Sequence, residues 1–250
     1  MLSEYIIKPA VTALRTLTVI PMPGQDTRVF GRSLLYFTLS GAVLGGLCCG
    51  LLFLLKTYTP FDDLLLTAFV LLFSVFITGA LHIDGLADTF DGFGGGKTAE
   101  KTLEIMKDPR QGTFGVTAIV FDLLLKWLLM KPIIETENYT LLVILFIVSR
   151  SVQPLLLSFF PYARKTGGTA APFCEGGKVY SLLSVAAASI ISGYTLRLNG
   201  IFAMLVAVIV VFLWGLYCQK RIGGITGDCI GAGNEFTEIA LLILFCWGNS

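Results

Sequence analysis

Long apolar runs set the plan of this chain. A bilayer core about 30 Å thick is crossed by about 20 apolar residues of helix, and runs of that length recur. Leu34 to Leu55 is 22 residues without a charge, and Leu64 to Ile83 is 20, bracketed by Asp63 and Asp84. Gln111 to Met130 carries Asp122 and Lys126, and Asn138 to Ala163 carries only Arg150. Val179 to Leu196 and Leu198 to Gln219 are uncharged. Ile239 to Ser250 offers only 12 uncharged residues, so it spans only if its helix begins near Gly231 and carries Glu235 and Glu238 inward. The pattern predicts an all-α, polytopic membrane protein with about seven transmembrane helices, six to eight in range. Tyr5 to Ile20 mixes apolar residues with Lys8 and Arg15 and reads as an interfacial amphipathic helix. Thr98 to Asp108 reads as a short amphipathic helix stopped by Pro109. No internal repeat or long linker divides residues 1–250, which are expected to form a single membrane domain.

Composition agrees. The chain is 55% hydrophobic and 14% charged, against about 25% charged in soluble domains, and its mean hydropathy is +0.80. The net charge of +1 leaves no basic excess for a nucleic-acid partner. Six cysteines form no CxxC pair, so reduced thiols are expected in place of a disulfide framework or zinc site. The Lys and Arg of the connecting segments alternate, thirteen on one side and three on the other. The positive-inside rule then puts the N-terminus and residues 84–110, 164–178 and 220–235 in the cytoplasm.

The chemistry concentrates in His82-Ile-Asp84-Gly-Leu-Ala-Asp88-Thr-Phe-Asp91-Gly-Phe-Gly94-Gly-Gly96. With 3.6 residues per turn, Asp84, Asp88 and Asp91 lie at about 0°, 40° and −20° and share one helix face. On a helix continuing a span, that face sits at the membrane edge. Ionised carboxylates are costly there and repel one another, and a divalent cation removes both difficulties. Hard oxygen ligands favour Mg²⁺ or Mn²⁺ over Zn²⁺. The plain alternative is a solvated acidic helix end. The glycines at 92 and 94–96 leave N–H groups for a phosphate or act as a hinge. His82 points about 160° away from the acids, as a packed residue or a ligand.

The cations have two readings each. Lys107 and Arg110 suit a phosphate-bearing substrate, or they anchor a span. Asp122 and Lys126, at i and i+4, pair with each other or meet substrate. Arg150 has no acid in its own span and needs one elsewhere or a ligand anion. Arg164, in the Pro161–Gly168 loop, is placed for a second phosphate or is an ordinary inside charge. Asp228 and Glu235 are seven apart near a second membrane crossing and read as a further carboxylate half-site.

These motifs carry a resemblance. HIDGLADTFDGFGGG (82–96), LEIMKDPRQGTFG (103–115), PYAR (161–164) and GGITGDCIGAGNEFTE (223–238), with LRTLTVIPMP (14–23), resemble the adenosylcobinamide-GDP ribazoletransferase family, also called cobalamin-5′-phosphate synthases. The likeness covers essentially the whole chain, although loop 164–177 lacks the family's Gly-Leu-Gly pattern. It implies a membrane enzyme that joins GDP-activated adenosylcobinamide to α-ribazole or its 5′-phosphate, releases GMP and requires Mg²⁺. On that basis Asp84, Asp88, Asp91 and Asp228 are expected to hold metal, with Asp91 or Asp228 as the proton acceptor. Lys107, Arg110, Lys126, Arg150 and Arg164 are expected to bind substrate. A lipid bilayer is the expected surrounding, and a pathway enzyme or a second copy is an open partner. Two other readings compete. A CDP-alcohol phosphotransferase needs an Ala-Arg where this chain has Ala87-Asp88. A cation-coupled transporter needs its acids at mid-membrane.

Overall fold

The computed structural model describes residues 3–164 and 167–248, so Lys165 of the basic loop lies outside the described residues. Helices account for the described structure, with no strand among the described residues and one isolated bridge, Tyr162 to Ile225. After a π-turn at Ser3–Ile7 come α1 (Lys8–Leu17), a 3₁₀ stretch Phe30–Tyr36 running into α2 (Phe37–Tyr58), α3 (Asp63–Ile77) and α4 (Leu81–Gly95). Then follow α5 (Ala99–Ile105), α6 (Thr113–Glu135), α7 (Tyr139–Phe159), α8 (Lys178–Leu196), α9 (Leu198–Ile222) and α10 (Gly227–Gly248). Six helices are long and apolar enough to cross a membrane, or seven if α3 and α4 together make one broken span. Side-chain caps set several starts: Asp62 accepts from Leu65 N–H at 2.8 Å, Thr98 from Lys101 and Asn138 from Leu141.

α7 is the axis of the bundle. It packs against α2, α8, α9 and α10, and 89% of its apolar window is buried. The peripheral helices α6, α8 and α9 instead show outward Phe121, Leu128, Ile190, Leu213 and Leu216. Such an apolar exterior suits acyl chains, where only fully hydrogen-bonded backbones such as helices are stable. α1 ends at Leu17, ahead of Pro21, and lies against the Phe30–Tyr36 stretch and α2.

The uninterrupted span expected from Leu64 to Ile83 does not form. Gly79 (φ +60°) and Ala80 (φ +57°) are both left-handed, and the chain turns by 84° between α3 and α4. Glycine adopts this conformation freely, whereas alanine does so against its Cβ. The acidic helix is therefore not a straight continuation of α3. It leaves it at an angle and packs along α10 and α6.

α10 meets the condition set for the last span: it begins at Gly227 and carries Glu235 and Glu238 inward, both buried. There they meet the cations of the neighbouring spans. Lys126 of α6 pairs with Glu235, with Glu238 at 2.8 Å and with Asp122 at 3.4 Å. Arg150 of α7 pairs with Glu238 and donates to Ser149 Oγ at 2.9 Å. Lys126 and Arg150, expected at substrate, are buried here in ion pairs with these carboxylates, the other reading of each cation. An unpaired charge inside the membrane is costly, and the acids that answer both cations lie on the last helix, far along the chain.

Candidate active site where α4 meets α10

Two glycines bring the acids together. A Cβ at Gly85 would stand 2.8 Å from the carbonyl oxygen of Asp228, and one at Gly231 would stand 3.0 Å from that of His82. α4 and α10 thus cross in backbone contact. The Asp88 carboxyl feels the negative charges of Asp84, Asp228 and Asp91. Asp84 is exposed, and its carboxylate has no hydrogen-bond or ion-pair partner among the described residues. Asp88 is half-buried and receives only a long contact from the Gln111 amide, 3.4 Å.

Asp91 behaves differently. Its two oxygens accept the N–H groups of Gly112 at 2.7 Å and Gly115 at 2.8 Å. It is buried and caps the start of α6 from another helix, where free N–H groups and the helix dipole favour an anion. Asp91, expected to hold metal and to accept the proton, is thus engaged by one N–H on each oxygen, which leaves each oxygen a further lone pair.

Asp228 opens α10. Its Oδ2 accepts from Arg164 Nη2 at 2.7 Å and from Thr226 Oγ1 at 3.2 Å. Arg164 also reaches the Met106 carbonyl, at 3.4 Å. The loop between α5 and α6 is thereby tied to the site twice, through Met106 and through Gln111 to Asp88. That loop carries Lys107 and Arg110, both exposed. Arg110 makes paired hydrogen bonds to Asp108 (2.9 and 2.7 Å) and holds that carboxyl down at about 2. Burial raises the Tyr162 phenol on the Arg164 loop. The six cysteines are free thiols.

A cavity of about 410 Å³ opens beside the acids. Asp84 and Asp228 share its wall with His82, Gln153, Phe37 and Phe173. His82 is buried, with Nε2 3.1 Å from the Gln153 amide nitrogen. Sequence reasoning missed Gln153, although an uncompensated amide in an apolar span is itself a signal of function. Phe37 and Phe173 gave no signal of their own.

Among the described residues no group of three or more His, Cys, Asp or Glu is arranged to hold a metal ion. Mg²⁺ takes one or two protein carboxylates and completes its shell with waters and substrate phosphates. The partner-free Asp84 and lightly held Asp88, facing Asp228, fit that smaller demand.

The Cobalamin-5-phosphate synthase family model matches residues 9–246. A protein of Prosthecochloris aestuarii named adenosylcobinamide-GDP ribazoletransferase is 40% identical over 94% of this chain and 98% of its own. Namesakes from Chlorobium chlorochromatii and Thermoanaerobacter pseudethanolicus are 38% and 36% identical, over 93% and 96% of this chain and 93% and 97% of their own. No solved structure matches the chain. A match of this length has one consequence: the chain belongs to the cobalamin-5-phosphate synthase family.

Proposed function

We propose that this chain is an adenosylcobinamide-GDP ribazoletransferase, a membrane enzyme that completes the nucleotide loop of cobalamin. The observation that carries the reading is the meeting of Asp84 and Asp88 on α4 with Asp228 on α10, beside cations and a cavity. In the reaction a ribose hydroxyl of α-ribazole, or of its 5′-phosphate, attacks the phosphorus esterified to the cobinamide arm. A new P–O bond forms, the pyrophosphate P–O bond breaks, and GMP leaves with the electron pair.

Asp84 and Asp88, joined by Asp228, would hold Mg²⁺, which when bound supplies neutralising charge to the pyrophosphate. Lys107 and Arg110 stand on the adjoining loop, exposed and able to reach phosphate oxygens. Arg164 begins on Asp228. Its planar guanidinium can exchange that carboxylate for a substrate phosphate, and the Asp228 oxygen so released, where metal does not engage it, can take the hydroxyl proton. Asp91 serves by fixing the start of α6, and hence the loop that carries Gln111 and Arg110.

The asymmetry of loop charge supports a site on the cytoplasmic face of the cell membrane, with the N-terminus on the same side. The test is the purified full chain in detergent with GDP-activated cobinamide, α-ribazole 5′-phosphate and Mg²⁺. GMP release in step with a cobalamin product, abolished by EDTA and restored by Mg²⁺, is expected. Absence of GMP from a monodisperse, thermally stable preparation would overturn the reading.

A further inference from the structure

Beyond the acids, the cavity they border has walls of a particular kind. Phe173 lies edge-on to Phe30, with centroids 5.2 Å apart, and edge-on to Phe37 at 6.1 Å. The three rings line one side of the space, and Leu17, Leu157 and Ile230 add to its apolar surface. Its polar side chains are Thr16, His82, Asp84, Gln153, Thr169 and Asp228, and one buried atom among them is unsatisfied: His82 Nδ1 has no partner in the protein.

The state of that nitrogen follows from a chain of hydrogen bonds that begins in the ionic core. Asn234 donates its amide to Glu235 at 2.9 Å and to Glu238 at 3.1 Å. Carboxylates only accept from it, so the amide oxygen of Asn234 must face the other way, where it receives the Gln153 amide nitrogen at 2.7 Å. The same Gln153 nitrogen stands 3.1 Å from His82 Nε2. Its second hydrogen is thus donated to Nε2, and the ring proton of His82 belongs on Nδ1. The orientation of each group is set by the next, from Glu238 to the wall of the cavity. The result is a buried N–H donor without a protein partner, on a residue that borders the aromatic pocket.

We propose that this cavity receives the heteroaromatic base of the riboside substrate, with His82 Nδ1–H donating to the base's unsubstituted ring nitrogen. The assignment rests on the transferase reading and names the subsite within it. An N-glycosylated benzimidazole is flat and apolar and keeps one lone-pair nitrogen, which matches one donor among aromatic walls. Guanine presents a donor-rich edge that the Phe30, Phe37 and Phe173 side of the cavity does not answer. Ligand pockets run from about 300 to 1,000 Å³, and 410 Å³ is of a size for a nucleoside. A base seated there brings its ribose toward Asp84 and Asp228 on the same cavity wall, where the hydroxyl is needed. His82 is then a specificity-determining residue, and Gln153 and Asn234 are positioning residues acting through it.

The probes are the benzimidazole riboside and the indole riboside, which replaces the ring nitrogen by C–H, with the full chain in detergent. Calorimetric binding of the unphosphorylated ribosides needs neither the second substrate nor metal. The benzimidazole riboside should bind about tenfold more tightly than the indole analogue, and in His82→Phe the two should bind equally. Thr169→Trp, on the exposed loop at the cavity, should raise the KM for the riboside while leaving the KM for GDP-cobinamide unchanged. Equal binding of the two ribosides by the wild-type chain, or a preference that survives in a folded His82→Phe, would overturn the proposal. So would a Thr169→Trp effect on GDP-cobinamide alone. GMP release with those results would sink the subsite and leave the transferase standing. Selective riboside binding without GMP release would do the reverse.

Discussion

Gly85 of α4 rests on the backbone of Asp228 in α10, so close that a Cβ would stand 2.8 Å from the Asp228 carbonyl oxygen and 3.0 Å from its Cα. This contact joins two acidic motifs that are far apart in the chain. On either side of it stand Asp84 and Asp88, so the separation of the two helices is also the separation of the carboxylates.

Widening that contact should therefore damage catalysis more than folding. In Gly85→Ala the obstructing atoms are backbone, which cannot swing aside. Misplacement of catalytic groups by about 1 Å can lower turnover about 10²-fold, and a kcat loss of that order is expected. Gly46→Ala is the matched control, since a Cβ there meets nothing within 4 Å. It should keep full activity and gain up to about 1 kcal/mol from helix propensity. Steady-state GMP release with a thermal melt of each protein checks both, and full activity in Gly85→Ala would refute the relationship.

The three aspartates of α4 should separate into two kinds. Asp84→Asn and Asp88→Asn remove charge from a face with little protein bonding, so melting temperature should hold while kcat collapses. Asp91→Asn weakens two N–H contacts at the head of α6. Hydrogen bonds to a charged group contribute about 1.5–3 kcal/mol each, so its melt should fall visibly. An Asp91→Asn protein that is inactive with an unchanged melt would return Asp91 to the chemistry.

How far these roles were legible in the chain depends on distance. The apolar runs located the spans because length and hydropathy are local properties, and the i, i+4, i+7 spacing placed three acids on one face for the same reason. The turn at Gly79-Ala80 stayed hidden inside a 20-residue uncharged run, because hydropathy carries no information on φ. The fate of Asp91 was hidden too, since the N–H groups that bind it lie 21 and 24 residues away. For Lys126 and Arg150 both halves were readable, the cations in mid-span and two inward glutamates in the last helix. Their pairing needed the packing of α6, α7 and α10.

That pairing predicts a stability role. Lys126→Met leaves Asp122, Glu235 and Glu238 facing one another with Arg150 as their cation. Removing one partner of a buried pair costs about 3–5 kcal/mol, and loss of the folded protein or a strongly lowered melt is expected. Adding Glu235→Gln to Lys126→Met should recover part of the loss, because one unanswered charge goes with it. A single variant that melts like the wild type would show that the cluster carries no such weight.

Metal demand should follow the free carboxylates. EDTA should stop turnover, and Mg²⁺ or Mn²⁺ should restore it, both being oxygen-seeking ions that keep water and phosphate in their shells. In Asp84→Asn the Mg²⁺ concentration for half-maximal activity should rise, because this carboxylate has no other partner among the described residues. In Arg110→Ala it should stay where it is, since that guanidinium is held by Asp108 and lies on the loop rather than among the ligands. Its effect should fall on the KM for GDP-cobinamide, and it should shrink as salt screens an exposed charge. A Mg²⁺ requirement that is the same in Asp84→Asn as in the wild type would remove Asp84 from the metal, and with it the reason for its exposure at the mouth of the cavity.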